Sequence, residues 1–252
     1  MLYICVPAFN EAPTVGVLLW RIRKVFQGFQ REYEILVYND GSTDATQEVV
    51  TPYAEVVPLT ILGGPGHKGY AGALDALMRA VVTKCRYVRR DAIIVMQGDF
   101  TDQPENIPEL VRRFEGGADI VVAEAASDVE NPKPVRRLRR IAPWLLRPFV
   151  STPGIQDPFG AFRLFRVSVV RDALRDAKEK SLVEGDGWGA NVDLLLATSR
   201  YARRVEAVSL PLRYDLRPRE SRVRPFSDAL RLYRFGRAAK ARRPELKPVA
   251  KE

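Results

Sequence analysis

Four short apolar runs, each closed by a polar or glycine-bearing motif and followed by a helix-like segment, constrain the fold of this chain more than any other feature. Residues 2–6 end at Pro7 and lead to residues 14–26, where Val15, Leu18, Leu19, Ile22 and Val25 recur at helical spacing. Residues 33–38 break at Asn39-Asp40-Gly41, after which Ser42 or Thr43 stands ready to cap a helix reaching about Tyr53. Residues 56–62 close on Gly63-Gly64-Pro65-Gly66, ahead of a small-residue-rich helix over residues 69–84. Residues 91–96 (DAIIVM) suit a strand buried on both faces. Residues 104–114 then read as helix and 118–123 as strand. This rhythm predicts an α/β fold with a mostly parallel central sheet flanked by helices. In such sheets ligands gather at the carboxyl ends of the strands. There the chain carries, in succession, Asn10 and Glu11, Asn39 and Asp40, His67 and Lys68, and Gln97 and Asp99.

The second half is less regular. Residues 136–150 mix five arginines with Trp144, Leu145, Leu146 and Phe149, and Pro143 sits in a first helical turn or breaks the segment. Residues 157–166 and 205–214 alternate as strands, and 185–199 is a glycine-rich lead into a helix. A last helix spans 227–243 with Ser227 as its N-cap; Leu230, Tyr233 and Arg237 lie on one face, with Leu232 and Phe235 adjacent. With 252 residues, one main domain and a tail are expected rather than two equal domains.

Charge narrows the partners. The net charge is +9, and residues 216–252 hold twelve Lys/Arg against four Asp/Glu. A second acid-free block, 131–150, contains Lys133, Arg136, Arg137, Arg139, Arg140 and Arg147. Such belts attract phosphate, in a diphosphate, a lipid headgroup or nucleic acid, or else serve as a solvated basic tail. No stacking-aromatic or recognition-helix pattern accompanies the charge, so a nucleic-acid partner is not expected. The first residues lack a basic signal-peptide region, no apolar run nears the ~20 residues of a membrane span, and Cys5 and Cys85 read as reduced thiols. The expected location is cytoplasmic.

The segments VPAFNE (6–11), VYNDGSTDAT (37–46), HKGYAGAL (67–74), VMQGDFTDQPENIPEL (95–110) and DPFGAFRLF (157–165) resemble, in order and spacing, the family 2 glycosyltransferases. The subgroup resembled is the dolichol-phosphate mannose synthase-like enzymes, and RVEAVSLPLRYDLRPRESRV (204–223) is similar to its late phosphate-binding stretch. The resemblance implies the GT-A nucleotide-diphospho-sugar transferase fold over residues 1–215. Residues 1–125 would form the donor-nucleotide half and 126–215 the acceptor half, followed by a basic segment, 216–252, with an amphipathic helix. It implies that Pro7, Phe9 and Glu11 line the nucleotide pocket and that Asp40 contacts base or ribose. It makes Asp99 the last carboxylate of a DxD motif holding a divalent cation, Mg²⁺ or Mn²⁺, on the donor diphosphate. His67, Gln97 and Gly98 join them as donor-binding candidates, and Gln97, through its carbonyl oxygen, is a second candidate ligand of the cation. Arg217, Ser221 and Arg222 match the late phosphate-binding segment, Arg139 and Arg140 fall near an arginine given that role in the subgroup, and Arg163 joins them as an acceptor-half arginine.

The DxD motif here reads Gln97-Gly98-Asp99, so an amide replaces the first carboxylate. A hard cation prefers carboxylate oxygen. Metal affinity is expected to fall unless Asp102 turns inward, or basic side chains take over part of the neutralisation. An alcohol acceptor needs a general base, with Asp157 and then Asp186 as candidates; Asp186 reads equally as a turn residue. A polyprenyl monophosphate, largely dianionic at pH 7 with its second pKa near ~6, needs cations instead. Arginine suits phosphate through paired hydrogen bonds. The reading that leads is hexose transfer from a nucleotide sugar to polyprenyl phosphate at the membrane surface. Beside it stand a soluble transferase with a hydroxyl acceptor and a catalytically weak nucleotide-sugar-binding protein.

Overall fold

The computed structural model describes residues 1–126, 133–152, 154–210 and 224–242. Its first half runs β1 (Leu2–Ala8), α1 (Ala12–Gly28), β2 (Tyr33–Asp40), α2 (Thr46–Val50), β3 (Leu59–Gly64), α3 (Gly69–Lys84), β4 (Ala92–Val95), α4 (Ile107–Glu115) and β5 (Ile120–Ala125). The second runs α5 (Lys133–Leu146), β6 (Arg163–Arg166), α6 (Val167–Ala177), α7 (Trp188–Ser199), β7 (Val205–Leu210) and α8 (Pro225–Arg242). The strands form one sheet in the order β3-β2-β1-β4-β6-β5-β7. β1 pairs in parallel with β2 and β4, β2 with β3, and β5 with β7; β6 alone runs antiparallel, between β4 and β5. The order reverses at β1, and the ends of β1, β2 and β4 open one crevice there, as doubly wound sheets do.

Strand alternation builds two cores. Leu2, Ile4, Val6 and Ala8 of β1 pack on Val15, Leu18, Leu19 and Ile22 of α1 and on Ile107, Leu110 and Phe114 of α4. Tyr3 and Cys5 point the other way, onto Leu74, Leu77, Met78 and Val81 of α3 and onto α6 and α7. Each fully buried Leu or Ile contributes about 1.5–3 kcal/mol. α7 has no polar face because it is covered twice. Ala190, Leu194 and Leu195 face the sheet-side core, whereas Val192 and Leu196 meet Leu138 and Leu146 of α5 and Leu232, Phe235 and Ala239 of α8.

Several sequence expectations shift. Only 163–166 of the 157–166 run is strand; Asp157 turns the chain by accepting the Phe159 N–H (3.1 Å). Helix α6, unmarked by any motif, follows β6 directly. α2 begins at Thr46 rather than after Ser42 or Thr43, because those residues bind the loop after β1. Pro143 lies inside α5, and Leu146 is buried while Trp144 is 74% exposed. Ser227 does not cap α8. Its hydroxyl donates back to the Arg224 carbonyl, and the Asp228 carboxylate accepts the Arg224 N–H (2.7 Å). The buried face of α8 is Leu232, Phe235 and Ala239, with Leu230 and Tyr233 exposed. Among the described residues, no helix is long and apolar enough to cross a membrane.

Gly63 ends β3 with φ +96, and a Cβ there would overlap the Asn39 carbonyl oxygen on β2. Gly63→Ala is therefore expected to destabilise the fold by at least about 1–3 kcal/mol, the usual cost of such a backbone state. Urea denaturation of the two proteins, compared at equal m-value, measures it.

Candidate active site

The crevice is assembled by two loops that bind each other. Asn10, itself at φ 54, receives its brace from Ser42: the Asn10 N–H donates to Ser42 Oγ (3.0 Å), and the Thr43 N–H donates to Asn10 Oδ1 (2.8 Å). The Glu11 N–H donates to Thr46 Oγ1 (2.9 Å), and the Ala12 N–H, an orphan donor at the start of α1, donates to Asp44 Oδ2 (3.1 Å). Asp44 Oδ1 accepts the Thr46 N–H (3.0 Å) and the Thr46 hydroxyl. Burial alone would push the Asp44 carboxyl up; the hydrogen bonds from Thr46 and Ala12 outweigh it and hold the pKa below its ordinary value.

A third loop brings Asp99 in. Asp102 does turn inward, but to accept the Gln97 backbone N–H (2.8 Å), and it does not line the crevice. Phe100 sits at φ 66, a strained state for an aromatic residue, and its carbonyl accepts Gln103 Nε2 (2.6 Å). Arg21 of α1 pins this loop through Gln103 (2.8 Å) and Glu105 (2.7 Å). Asp99, 3% exposed, accepts the Thr101 N–H (3.1 Å).

The result is a cleft of about 420 Å³. Pro7, Phe9, Glu11, Asp40, His67, Gln97, Gly98 and Asp99 all line it, so the three carboxylates expected at one site do share one cavity. Asp40, 4% exposed at its side chain, accepts the Lys68 N–H (2.7 Å) and lies 2.9 Å from His67 Nδ1. A carboxylate has about four acceptor positions, so it keeps capacity for a ligand donor. The Phe9 and His67 rings, 4.5 Å apart, offer an aromatic edge beside it. Glu11 packs across Gly98, where a Cβ would lie 3.4 Å from Glu11 Cγ.

The opposite wall comes from the lead into α7, α7 itself and α8: Asp186, Gly187, Trp188, Asn191, Asp228, Arg231 and Leu232. Of these only Asp186 stood among the sequence candidates. The glycine-rich lead into α7 marked the place, but nothing in the spacing revealed that α8 folds back over the cleft. Tyr70, whose hydroxyl donates to Asn191 Oδ1 (2.9 Å), also lines it; burial pushes its phenol pKa far up, so it stays protonated.

Two candidates are corrected by their surroundings. Arg163 is 1% exposed and does not face the cleft; its guanidinium donates to the carbonyls of Asn191 and Pro158 (2.5 Å for the latter), bracing α7 against the 157–162 turn. Burial lowers its pKa to about 10. It is a structural cation with no room for an acceptor phosphate. Asp157 likewise lies outside the cleft. One oxygen pairs with Arg139 and the other accepts the Phe159 N–H, so it is poorly placed as a base. Arg139 stands 5.8 Å from the Trp188 ring, and Trp188 stacks on Phe159 at 5.4 Å. Behind that aromatic pair opens a second cavity of about 650 Å³, lined by Arg140, Pro143, Trp144, Leu146, Arg147, Ile155 and Phe159 among others. Arg217, Ser221 and Arg222 lie outside the described residues.

Among the described residues no group of three His, Cys, Asp or Glu is arranged to hold a metal ion. Asp99 and Gln97 line the cleft together, residues whose side chains carry a carboxylate and an amide. That donor set suits a hard cation that takes its remaining ligands from phosphate and water.

The family model described as glycosyl transferase family 2 matches residues 3–174. The chain belongs to glycosyl transferase family 2. Its family 2 relatives include the bactoprenol glucosyl transferase of Shigella phage SfV, 31% identical over 172 residues that make up 67% of this chain and 53% of that protein. A prophage bactoprenol glucosyl transferase homolog of Escherichia coli K12 matches with the same identity and coverage. The chain thus spans about half the length of the curated relatives it matches. Among solved structures, glucosyl-3-phosphoglycerate synthase from Mycobacterium tuberculosis, in complex with Mn²⁺, UDP-glucose and phosphoglyceric acid, superposes with a TM-score of 0.65 at 18% identity, covering 96% of this chain and 79% of that one. TarS 1-349 of S. aureus, in complex with UDP, gives 0.56 at 15% identity, with 82% and 57% covered. At these identities the likeness is one of fold, and the fold of this family 2 chain is GT-A.

Asp44→Ala is expected to cost about 0.5–2 kcal/mol at neutral pH, the range for a lost helix cap. Because the folded pKa of Asp44 is depressed, its contribution is present above the unfolded value and lost as pH falls through the folded one. The stability gap between wild type and variant should therefore persist into the ordinary carboxylate range and close only below it, as read from urea midpoints across pH.

Proposed function

We propose that this family 2 chain transfers a hexose, with inversion, from a nucleoside-diphosphate sugar to a polyprenyl phosphate at the inner face of a membrane. The observation that carries the donor half is the convergence of Glu11, Asp40 and Asp99 on one cleft of about 420 Å³ at the ends of β1, β2 and β4. In this reading Phe9 and His67 flank the base, and Asp40 accepts hydrogen bonds from base or ribose. Asp99 and the Gln97 amide oxygen would hold a divalent cation, Mg²⁺ or Mn²⁺. That ion, when bound, neutralises charge developing on the leaving diphosphate. The loop strain at Phe100 and the Asp102–Gln97 hydrogen bond keep Asp99 aimed before the donor arrives.

The acceptor half rests on the second cavity, lined by Arg140, Arg147 and Phe159, the last stacked on Trp188 of the first cavity. Arg140 and the late residues Arg217, Ser221 and Arg222 would position the acceptor phosphate, with the isoprenoid chain on the apolar lining, whereas Arg139, buried in its pair with Asp157, lines neither cavity. The commitment of Asp157 to Arg139 favours a nucleophile that arrives already ionised. The bactoprenol named for the relatives is an acceptor of this class. Membrane contact is supported by Trp144 (74% exposed) and Ile141 (46%) standing among Arg136, Arg137, Arg140 and Arg147 on α5. A basic element near an anionic leaflet gains roughly 1 kcal/mol per cation.

Asp99→Ala is expected to abolish transfer of radiolabelled hexose to undecaprenyl phosphate, at a loss of about 10³-fold. Asp157→Asn should keep turnover per folded molecule within about tenfold, although it loosens Arg139. A loss of 10²–10⁴-fold instead would indicate a general base and hence a hydroxyl acceptor. Flotation with phosphatidylglycerol vesicles tests the membrane contact. Wild type should float, Trp144→Asp should float less, and a protein that never floats would point to an acceptor free in solution.

A further inference from the structure

The cleft has an unbalanced charge. Among the described residues lining it are five carboxylates, those of Glu11, Asp40, Asp99, Asp186 and Asp228, against one Lys/Arg side chain, Arg231. A nucleoside-diphosphate sugar brings about two further negative charges into this space. We propose that Arg231 of α8 is a ligand for the donor diphosphate, a fixed cation that shares with the divalent ion the charge neutralisation weakened at Gln97. The inference rests on the transferase reading of the cleft and adds a residue to it.

The position of Arg231 is set by packing, not by chance of the surface. Leu232, Phe235 and Ala239 of α8 are buried against α5 and α7. Gly236 lets the helix approach so closely that a Cβ there would stand 2.8 Å from Phe149 Cδ2 and 3.0 Å from Leu146 Cδ2. The first turn is closed by Asp228 and the Arg224 N–H. With the helix held, Leu232 and Arg231 form part of the cleft wall facing the strand ends.

The guanidinium is free to change partners. It now lies 3.1 Å from Asp186 and 3.9 Å from Asp228, and the Asp186–Arg231 pair is exposed on both sides, 66% and 64%. Exposed pairs of this kind contribute little and exchange readily. A diphosphate oxygen pair matches the planar fork better than the two carboxylates it now meets through one nitrogen, only Asp186 within hydrogen-bond distance. Asp186 then acts as a placeholder that competes with the donor, which gives this carboxylate a part other than that of a base.

Calorimetric titration of the whole chain tests this, with inorganic pyrophosphate and UDP, GDP, ADP and CDP as probes, in EDTA and again in Mn²⁺. For whichever probe binds wild type best, Arg231→Ala should weaken binding about tenfold or more in EDTA and by less in Mn²⁺. Arg231→Lys should recover part of the loss, because charge returns without the fork. Asp186→Asn should tighten binding severalfold, and Arg234→Ala, one turn along outside the cleft, should stay within about twofold. A merely structural role would lower Tm and weaken binding equally in both buffers. Arg231→Ala binding as wild type does, in every buffer where wild type binds, would overturn the proposal and leave the transferase reading intact. Weaker binding by Asp186→Asn would also overturn it. If wild type binds none of the probes in either buffer, the transferase reading falls and the role of Arg231 falls with it.

Discussion

The hydrogen bonds that join the loop after β1 to the loop after β2 are the constraint on which the rest of the site depends. The parallel sheet brings the two strand ends side by side, but it does not say how their loops are shaped. Ser42, Asp44 and Thr46 do so by taking the N–H groups of Asn10, Ala12 and Glu11, donors that the start of α1 would otherwise leave unpaired. With those bonds made, Glu11 and Asp40 line the same cavity, and the third loop closes on them through Gly98. The polar motif that looks like a ligand-binding signature is therefore in large part a brace. Asn10, Ser42, Thr43 and Asp44 hold the residues that face the cleft and do not line it themselves.

That division explains what the sequence made legible. Apolar periodicity specified β1, β2, β4, α1 and α3 to within a few residues, because each buries one face or both in a continuous core. The cleft-lining residues from strand ends followed from the rule that polar motifs leaving parallel strands converge. What could not be read was the wall opposite. α8 reaches the cleft through Leu232, Phe235 and Gly236 packing on α5 and α7, contacts between segments about 90 and about 40 residues apart in the chain with no local pattern to announce them. Arg163 misled for a related reason. An arginine in an acceptor-half motif reads as a phosphate ligand, and only tertiary context reveals that two carbonyls already claim it.

Two cavities, linked by a stacked pair with one ring on each, give the molecule a simple logic. The strand-end cleft carries carboxylates and an aromatic edge, which suits a sugar nucleotide with its cation. The α5 cavity carries arginines and apolar side chains, which suits a lipid phosphate. Trp188 lines the first and Phe159 the second, and Arg139 lies over Trp188, paired to Asp157. Gln97 fits this scheme as a site where negative charge has been reduced, in a chain whose net charge is +9. In the proposed reaction the protein's own cations, on α5 and α8, would carry part of the phosphate neutralisation.

The central claim is that the loops leaving β1, β2, β3 and β4 form one receptacle for a sugar nucleotide. Hydrogen–deuterium exchange of the chain with UDP-glucose or GDP-mannose in Mn²⁺ tests it without any assumption about the acceptor. The account predicts slowed exchange concentrated in residues 7–12, 39–46, 66–73 and 97–103, with the outer face of α6 unchanged. Protection confined to other segments, or no protection with either donor at saturating concentration, would contradict it.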